Sequence, residues 1–361
     1  MQCVGFVDFL TFLKLSYHGF QFHRTSLSRF FTIWPLRPYA YLSRQLSPAK
    51  HTTYWYRKHT SKTKLPVVFL HGIGIGLYPY TNFLSELNST QGLETLDPND
   101  QVGILAIEIM PVSFRITHSA LRREKLCAEI TSIISKHFGD QKFVLSSHSY
   151  GTVISTHLLA YPPLSNRVGP VLLIDPVSIL LHLPDVAYNF TRRQPTHANE
   201  FQLYYFASMD SGVAHTLARH FFWSQNILWK KDLISHKVTV SLGGHDLIVN
   251  TEAVGRYLSE PIHGYESRYV KIDPSTSSSE GTLIGTDQPT DVKRSVRLRV
   301  GGGPSCDEEP KEEEWKRRPW KGEGIDLLWF SDLDHAQVFD KPETRRKLID
   351  CIRTYCEDKS L

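Results

Sequence analysis

Acid is almost missing from the first 64 residues, where ten Lys and Arg stand against a single carboxylate, Asp8. Long apolar runs are missing too. Asp8 and Lys14 interrupt the one candidate, Val4 to Phe22, and a spanning helix needs about 20 mostly apolar residues, so a transmembrane helix is excluded. No signal-peptide cleavage pattern is present. Cysteine is sparse: Cys3, Cys127, Cys306, Cys351 and Cys356 form an odd, scattered set. It has neither zinc-ligand spacing nor a disulfide framework, which fits a reducing, intracellular compartment. The net charge of +4 over 361 residues gives no argument for nucleic acid, and no nucleic-acid partner is expected. A Walker lysine is absent, and Gly72, Gly74 and Gly76 are spaced evenly rather than as G-x-G-x-x-G, so a nucleotide loop is not supported.

The acid-poor start, rich in Ser, Phe, Tyr and Leu, admits three readings. A mitochondrial transit sequence has this composition. A basic, aromatic surface lying on anionic membrane has it as well, since Lys and Arg attract the headgroups and aromatic rings insert. The third is an arm that packs on the domain behind it. Residues 1–50 are taken as this separate segment and 51–361 as the main domain. Sequons begin at Asn88 and Asn189 and matter only in a secretory setting. Residues 266–321 combine STSSSEG, VKRSVRLRV, GGGP and DEEPKEEEWKRRP. Ser, Gly, Pro and dense mixed charge bury too little apolar surface to offset ordering entropy, so a disordered insertion is expected there.

With 41% hydrophobic residues the remainder has ample material for a core. Continuously apolar runs at 66–72, 102–109, 142–148, 170–176, 237–244 and 325–331 read as strands covered on both faces. Helical stretches near 119–137, 150–160, 251–259 and 341–357 alternate with them. That alternation predicts an α/β fold with a mostly parallel sheet and helices on both faces. TTYWYRK (52–58) adds an antiparallel edge strand. Residues 178–236 are too long for a crossover and are read as a helical cap at the C-terminal edge of the sheet, where α/β folds bind ligands. Within it, 214–229 reads as one aromatic helix.

In KFVLSSHSYGTVIS a buried strand ends at Ser147-His148-Ser149-Tyr150-Gly151 and a helix follows. This is the strand–G-x-S-x-G–helix elbow with Ser147 in the first glycine's place. Small residues flank the nucleophile because the turn is tight. The turn lifts the Ser149 hydroxyl above the sheet and puts the Tyr150 N–H at a helix start, where it can hold an oxyanion. HGIGIG (71–76) follows the first clear strand and supplies the second N–H, from Ile73 or Gly74; His71 orients the loop. A serine hydroxyl needs a base, and the base an orienting acid. In the chain order Ser, Asp, His, the turn after SLGGHD offers Asp246, and WFSDLDH offers His335. Asp175, which ends the strand after the elbow, is the alternative acid. Asp334 is expected to point away.

The elbow, the HGxG loop, the late Asp and the final His resemble the α/β-hydrolase superfamily over about 52–260 and 322–361. More narrowly, TYWYR, PVVFLHGIGIGLYPY, SHSYGTV, FASMDSGVAHTLARHFFWSQNILW and LDHAQVFD resemble a group of fungal α/β-hydrolase-fold proteins of the AB hydrolase-1 type. The resemblance implies a Ser149–Asp246–His335 triad and a serine hydrolase of the esterase or lipase type, with no metal or cofactor required. The aromatic residues Phe221, Phe222, Trp223 and Trp229 suggest a lipophilic small-molecule or lipid acyl substrate. Acyl transfer to an alcohol with the same triad is the first alternative, and His335 and Asp340 fit an acyltransferase-like H-x4-D spacing. A non-catalytic, membrane-associated scaffold is the second. The N-terminal segment then marks either peripheral membrane contact or a mitochondrial address.

Overall fold

The computed structural model describes residues 2–89, 99–260 and 314–357. Most of the insertion expected at 266–321, and Cys306 with it, lies outside the described residues. Eight strands form one sheet: β1 (Gln21–His23), β2 (Tyr54–Arg57), β3 (Val67–Leu70), β4 (Ile104–Ile107), β5 (Phe143–His148), β6 (Val168–Ile174), β7 (Val238–Gly243) and β8 (Ile325–Phe330). Their spatial order is β1-β2-β4-β3-β5-β6-β7-β8. Strands β3 to β8 are parallel, β2 runs antiparallel to β4, and β1 runs antiparallel to β2 at the edge. This topology is that of the α/β-hydrolase fold; the strand expected over 52–58 is the antiparallel β2, but it is not the edge, because β1 from the N-terminal segment pairs with its outer side.

Period-two side-chain alternation explains why both faces are apolar. Val68 and Leu70 of β3 join a core with Leu145, Leu173 and Val240, closed by the helices α2 (Arg123–Phe138), α3 (Gly151–Leu159) and α6 (Thr251–Ser259). Val67 and Phe69 point the other way, into a core with Leu172 and Ile174. That face is closed by α1 (Gln2–Tyr17), α7 (Pro342–Cys356) and the short helix Thr81–Glu86.

Residues 178–236 fold as short helices, chiefly α4 (Pro184–Thr191) and α5 (Ser211–His220). The aromatic helix expected over 214–229 is not continuous. It ends at His220, Phe221 and Phe222 are extended, and a single turn follows at Trp223–Asn226. Extended backbone sends successive side chains to opposite sides, which a helix does not do.

The N-terminal residues lie against the sheet. Helix α1 buries Asp8, Thr11 and Leu15. Asp8 pairs with Arg37 and Arg115, and Arg37 also holds Glu108 at the end of β4. All four side chains are buried. Tyr39 and Thr53 supply further hydrogen bonds to this network. Among the described residues no helix is long and apolar enough to cross a membrane. Asn88, the first sequon residue, is fully buried, and its side chain bonds both backbone groups of Val102.

Candidate active site

Strand β5 delivers Ser149 on a tight turn. Its φ of 50° lies in the left-handed region that non-glycine residues rarely adopt, a conformation held by its surroundings. The turn passes very close to its neighbours. A Cβ on Gly151 would stand 2.3 Å from the Leu70 carbonyl oxygen, and one on Gly72 would stand 2.8 Å from the Ser149 Cβ. Ser147 is tolerated because its hydroxyl is buried and accepts a hydrogen bond from Ser155 at 2.8 Å.

Three side chains from three loops meet here. His335 Nε2 lies 2.8 Å from Ser149 Oγ, and its Nδ1 lies 2.7 Å from Asp246 Oδ2. The other oxygen of Asp246 accepts the N–H groups of Ile248 (2.7 Å) and Val249 (2.8 Å), which fixes the carboxylate. Asp334 accepts from the N–H groups of Leu247 and His335 and so ties these two loops together. Burial opposes charging the His335 imidazole, but Asp246, followed by Asp175 and Asp334, outweighs it and pushes the group up to about 9.

Asp175 is not the partner of His335 Nδ1. It sits beside the constellation with a φ of 44°, and its Oδ2 accepts the Ala336 N–H at 2.8 Å. Its carboxylate lies 3.6 Å from His148 Nε2, an ion-pair distance rather than a hydrogen bond, and the other nitrogen of His148 bonds the Tyr80 hydroxyl at 2.8 Å. Burial favours the neutral acid, yet His148, His335 and the Ala336 N–H hold Asp175 below the usual carboxylate range. Neither Tyr80 nor the role of His148 carries a sequence signal, because the parallel pairing of β5 with β3 on one side and β6 on the other brings Tyr80, His148 and Asp175 together. Donor atoms of Asp175, Asp246 and His335 lie within 4.8 Å of one another, close enough in principle for a metal ion. The carboxylate oxygens named here already accept hydrogen bonds, which suits a proton relay better than metal ligation.

The backbone donors sort themselves by their partners. The Gly74 N–H bonds the Val112 carbonyl at 3.1 Å, so Gly74 drops out of the expected oxyanion pair. The Ile73 and Tyr150 N–H groups have no acceptor among the described residues. His71 donates from Nδ1 to the Gly72 carbonyl and accepts the Ile109 N–H at Nε2. Burial pushes it down to about 4, so it is a neutral loop-orienting group.

Above Ser149 opens a cavity of about 390 Å³, walled by Ile73, Tyr150, Leu181, Phe190, Leu217 and Phe221. Trp223 also lines it, whereas Phe222 faces a different cavity and Trp229 stacks on His182 with ring centroids 5.3 Å apart. On the other side of His335 lies a more polar cleft of about 350 Å³, lined by Asn199, Gln202, Asp334, Gln337 and Asp340.

No protein-family model matches the sequence, and no curated protein is similar to it in sequence. Solved structures do resemble it. The carboxylesterase CesB (YbfK) from Bacillus subtilis matches at 11% identity over 97% of this chain and 98% of its own, with a TM-score of 0.45. A membrane phospholipase A, a bacterial virulence factor, matches at 10% identity over 97% and 91%, with a TM-score of 0.48. The meta-cleavage product hydrolase CumD from Pseudomonas fluorescens IP01 matches at 12% identity over 84% and 95%, with a TM-score of 0.47. These likenesses concern the fold; the narrower resemblance to fungal proteins rests on the sequence motifs alone.

Proposed function

We propose that the chain is a serine hydrolase that cleaves a carboxylic ester or related acyl bond of a lipophilic substrate. One observation carries the reading. The Ser149–His335–Asp246 line, with hydrogen bonds of 2.8 and 2.7 Å, opens onto an apolar cavity beside two unoccupied backbone N–H groups. In this mechanism Ser149 Oγ attacks the acyl carbonyl while His335 Nε2 takes its proton. The Ile73 and Tyr150 N–H groups stabilise the oxyanion. His335 then returns the proton to the leaving alcohol, and water repeats the sequence on the acyl-enzyme. Asp246 holds the imidazole and stabilises its charged form. The acyl chain lies in the 390 Å³ cavity under the cap at 178–236.

A fluorophosphonate probe tests this directly. Wild type should become covalently labelled and Ser149→Ala should not, while Ser147→Ala keeps most of the labelling. An unlabelled wild type would leave the scaffold reading in its place. Acyl transfer uses the same groups, with the polar cleft receiving an acceptor alcohol; product analysis with a lipid alcohol present separates it from hydrolysis.

Peripheral membrane contact is part of the proposal, for a reason in α1. Phe6, Phe9, Leu13 and Tyr17 follow one another at three- and four-residue steps and are exposed, Tyr17 at 86%. The helix therefore buries its one acid and turns aromatic side chains outward, within a segment of ten basic residues and one acid. Replacing these four side chains by Ser should abolish sedimentation with anionic vesicles at low salt. If the same charges are a mitochondrial address instead, residues 1–50 fused to a reporter will be imported.

A further inference from the structure

A second cavity, of about 480 Å³, shares Tyr150 with the cavity over Ser149. The end of α5 and the residues just after it stand between them. Leu217, Phe221 and Trp223 line the first cavity, and Arg219, His220 and Phe222 line the second. The Tyr150 and Phe221 rings, 6.1 Å apart, stand at the boundary. The two chambers differ in chemistry, since one is apolar and the other is basic.

Three guanidinium groups line the second chamber: Arg122 and Arg123 at the start of α2, and Arg219 at the end of α5. None of them has an ion-pair or hydrogen-bond partner among the described residues. Of the two acids that line it, Glu108 is already bound by Arg37 at 2.6 and 2.8 Å, which leaves Glu124. The first turn of α2 faces the same space without a side-chain cap, so its N–H groups add partial positive charge. Burial, with a smaller push from Arg123, holds His157 down to about 4 against the opposing pull of the Asn226 hydrogen bond and Glu124, so this ring is neutral. His157 donates from Nε2 to the Asn226 side-chain oxygen at 2.9 Å, and its buried Nδ1 has no partner.

We propose that this chamber is a binding site for a phosphate monoester carried on a small organic group. Guanidinium forks match phosphate oxygens in pairs. Three of them with a helix start against one carboxylate leave an excess that suits a dianion better than a single carboxylate. The volume of about 480 Å³ exceeds what bare phosphate needs and falls in the ordinary range for organic ligands, and Leu121 and Phe222 offer apolar contact. The ligand has two possible sources. A phosphate on the substrate itself spans both chambers across Tyr150, with its acyl chain over Ser149; this source rests on the hydrolase reading. A free organic phosphate fills only the basic chamber and acts through Tyr150, whose N–H is the proposed oxyanion donor.

Calorimetric titration of the full-length Ser149→Ala chain tests the site without turnover. Glycerol 3-phosphate should bind saturably and more weakly as salt rises, and glycerol should not bind. Arg123→Gln with Arg219→Gln should weaken binding tenfold or more, about 1.4 kcal/mol or more. The Lys pair at the same positions should recover part of it, and an unchanged thermal midpoint in each variant shows that the fold persists. If a medium-chain acyl glycerol phosphate binds much more tightly than glycerol 3-phosphate and is displaced by it, the phosphate arrives on the substrate. If the two bind equally, it arrives free. The proposal is overturned if the folded chain does not bind glycerol 3-phosphate, if glycerol binds as well, or if the Gln pair changes nothing. Failure of the hydrolase reading shows elsewhere, as an unlabelled wild type.

Discussion

His335 has carboxylates on several sides, and that sets how the site should respond to pH. A base held up to about 9 is mostly protonated at neutral pH. Hydrolysis should therefore climb about tenfold per pH unit through neutrality and level off near that value. Asp175→Asn removes one of the charges that favour the imidazolium, so the limb should move to lower pH in a kcat/KM profile; a limb that stays in place would separate Asp175 from the titration. Stability follows opposite signs for the two groups. The raised His335 contributes fully below its ordinary value near 6.5, and the contribution is lost as pH rises through about 9. The lowered Asp175 contributes above the ordinary carboxylate range and loses that contribution as pH falls. Asp246→Asn should reduce kcat on the order of 10⁴-fold, by analogy with serine proteases, and Asp175→Asn by much less; steady-state kinetics on one ester rank the two. Ser149, Asp246 and His335 were legible in the sequence because each follows a strand that ends at the same sheet edge. Gly74 was not, since only the placement of the Val112 carbonyl decides whether its N–H is free.

Elements tell the same story at larger scale. The strands were readable because burial on both faces makes them continuously apolar. Helix α1 was not, since its orientation is set by the pairing of Asp8 with Arg115, 107 residues away. The segment 214–229 misled for a related reason. Its aromatic residues serve two chambers on opposite sides, so the backbone extends at Phe221 and Phe222 where composition alone suggests helix. The elbow is the least forgiving junction. Gly151→Ala places a methyl group 2.3 Å from the Leu70 carbonyl oxygen, so α3 must move off β3. A loss of about 1–3 kcal/mol is expected from such overpacking, read as a lower urea midpoint together with weaker probe labelling. Stability equal to wild type would mean that the helix shifts freely.

For the whole molecule, the N-terminal residues and the active-site loops form one electrostatic unit. Asp8 and Arg37 come from the first 40 residues, and Glu108 and Arg115 flank the loop whose Val112 carbonyl holds Gly74. Breaking a buried pair from one side leaves a charge without compensation, which costs about 3–5 kcal/mol. Asp8→Ala should show a loss of that size in chemical unfolding, although Asp8 is far from Ser149 in sequence; a neutral result would mean that water reaches Arg37 and Arg115. A chain beginning near Tyr54 loses both Asp8 and Arg37, so point changes on the exposed face of α1 are the better probe of membrane contact. The same ionic tie also has a consequence in time. Asp8 emerges from the ribosome 107 residues before Arg115 does, an interval of roughly 5–20 s at ordinary synthesis rates. Throughout it Asp8 has at most one of its two guanidinium partners, Arg37, and Phe6, Phe9, Leu13 and Tyr17 are open to other surfaces. Other surfaces, a chaperone or a bilayer, can therefore compete for α1 before its ionic tie to the domain is complete.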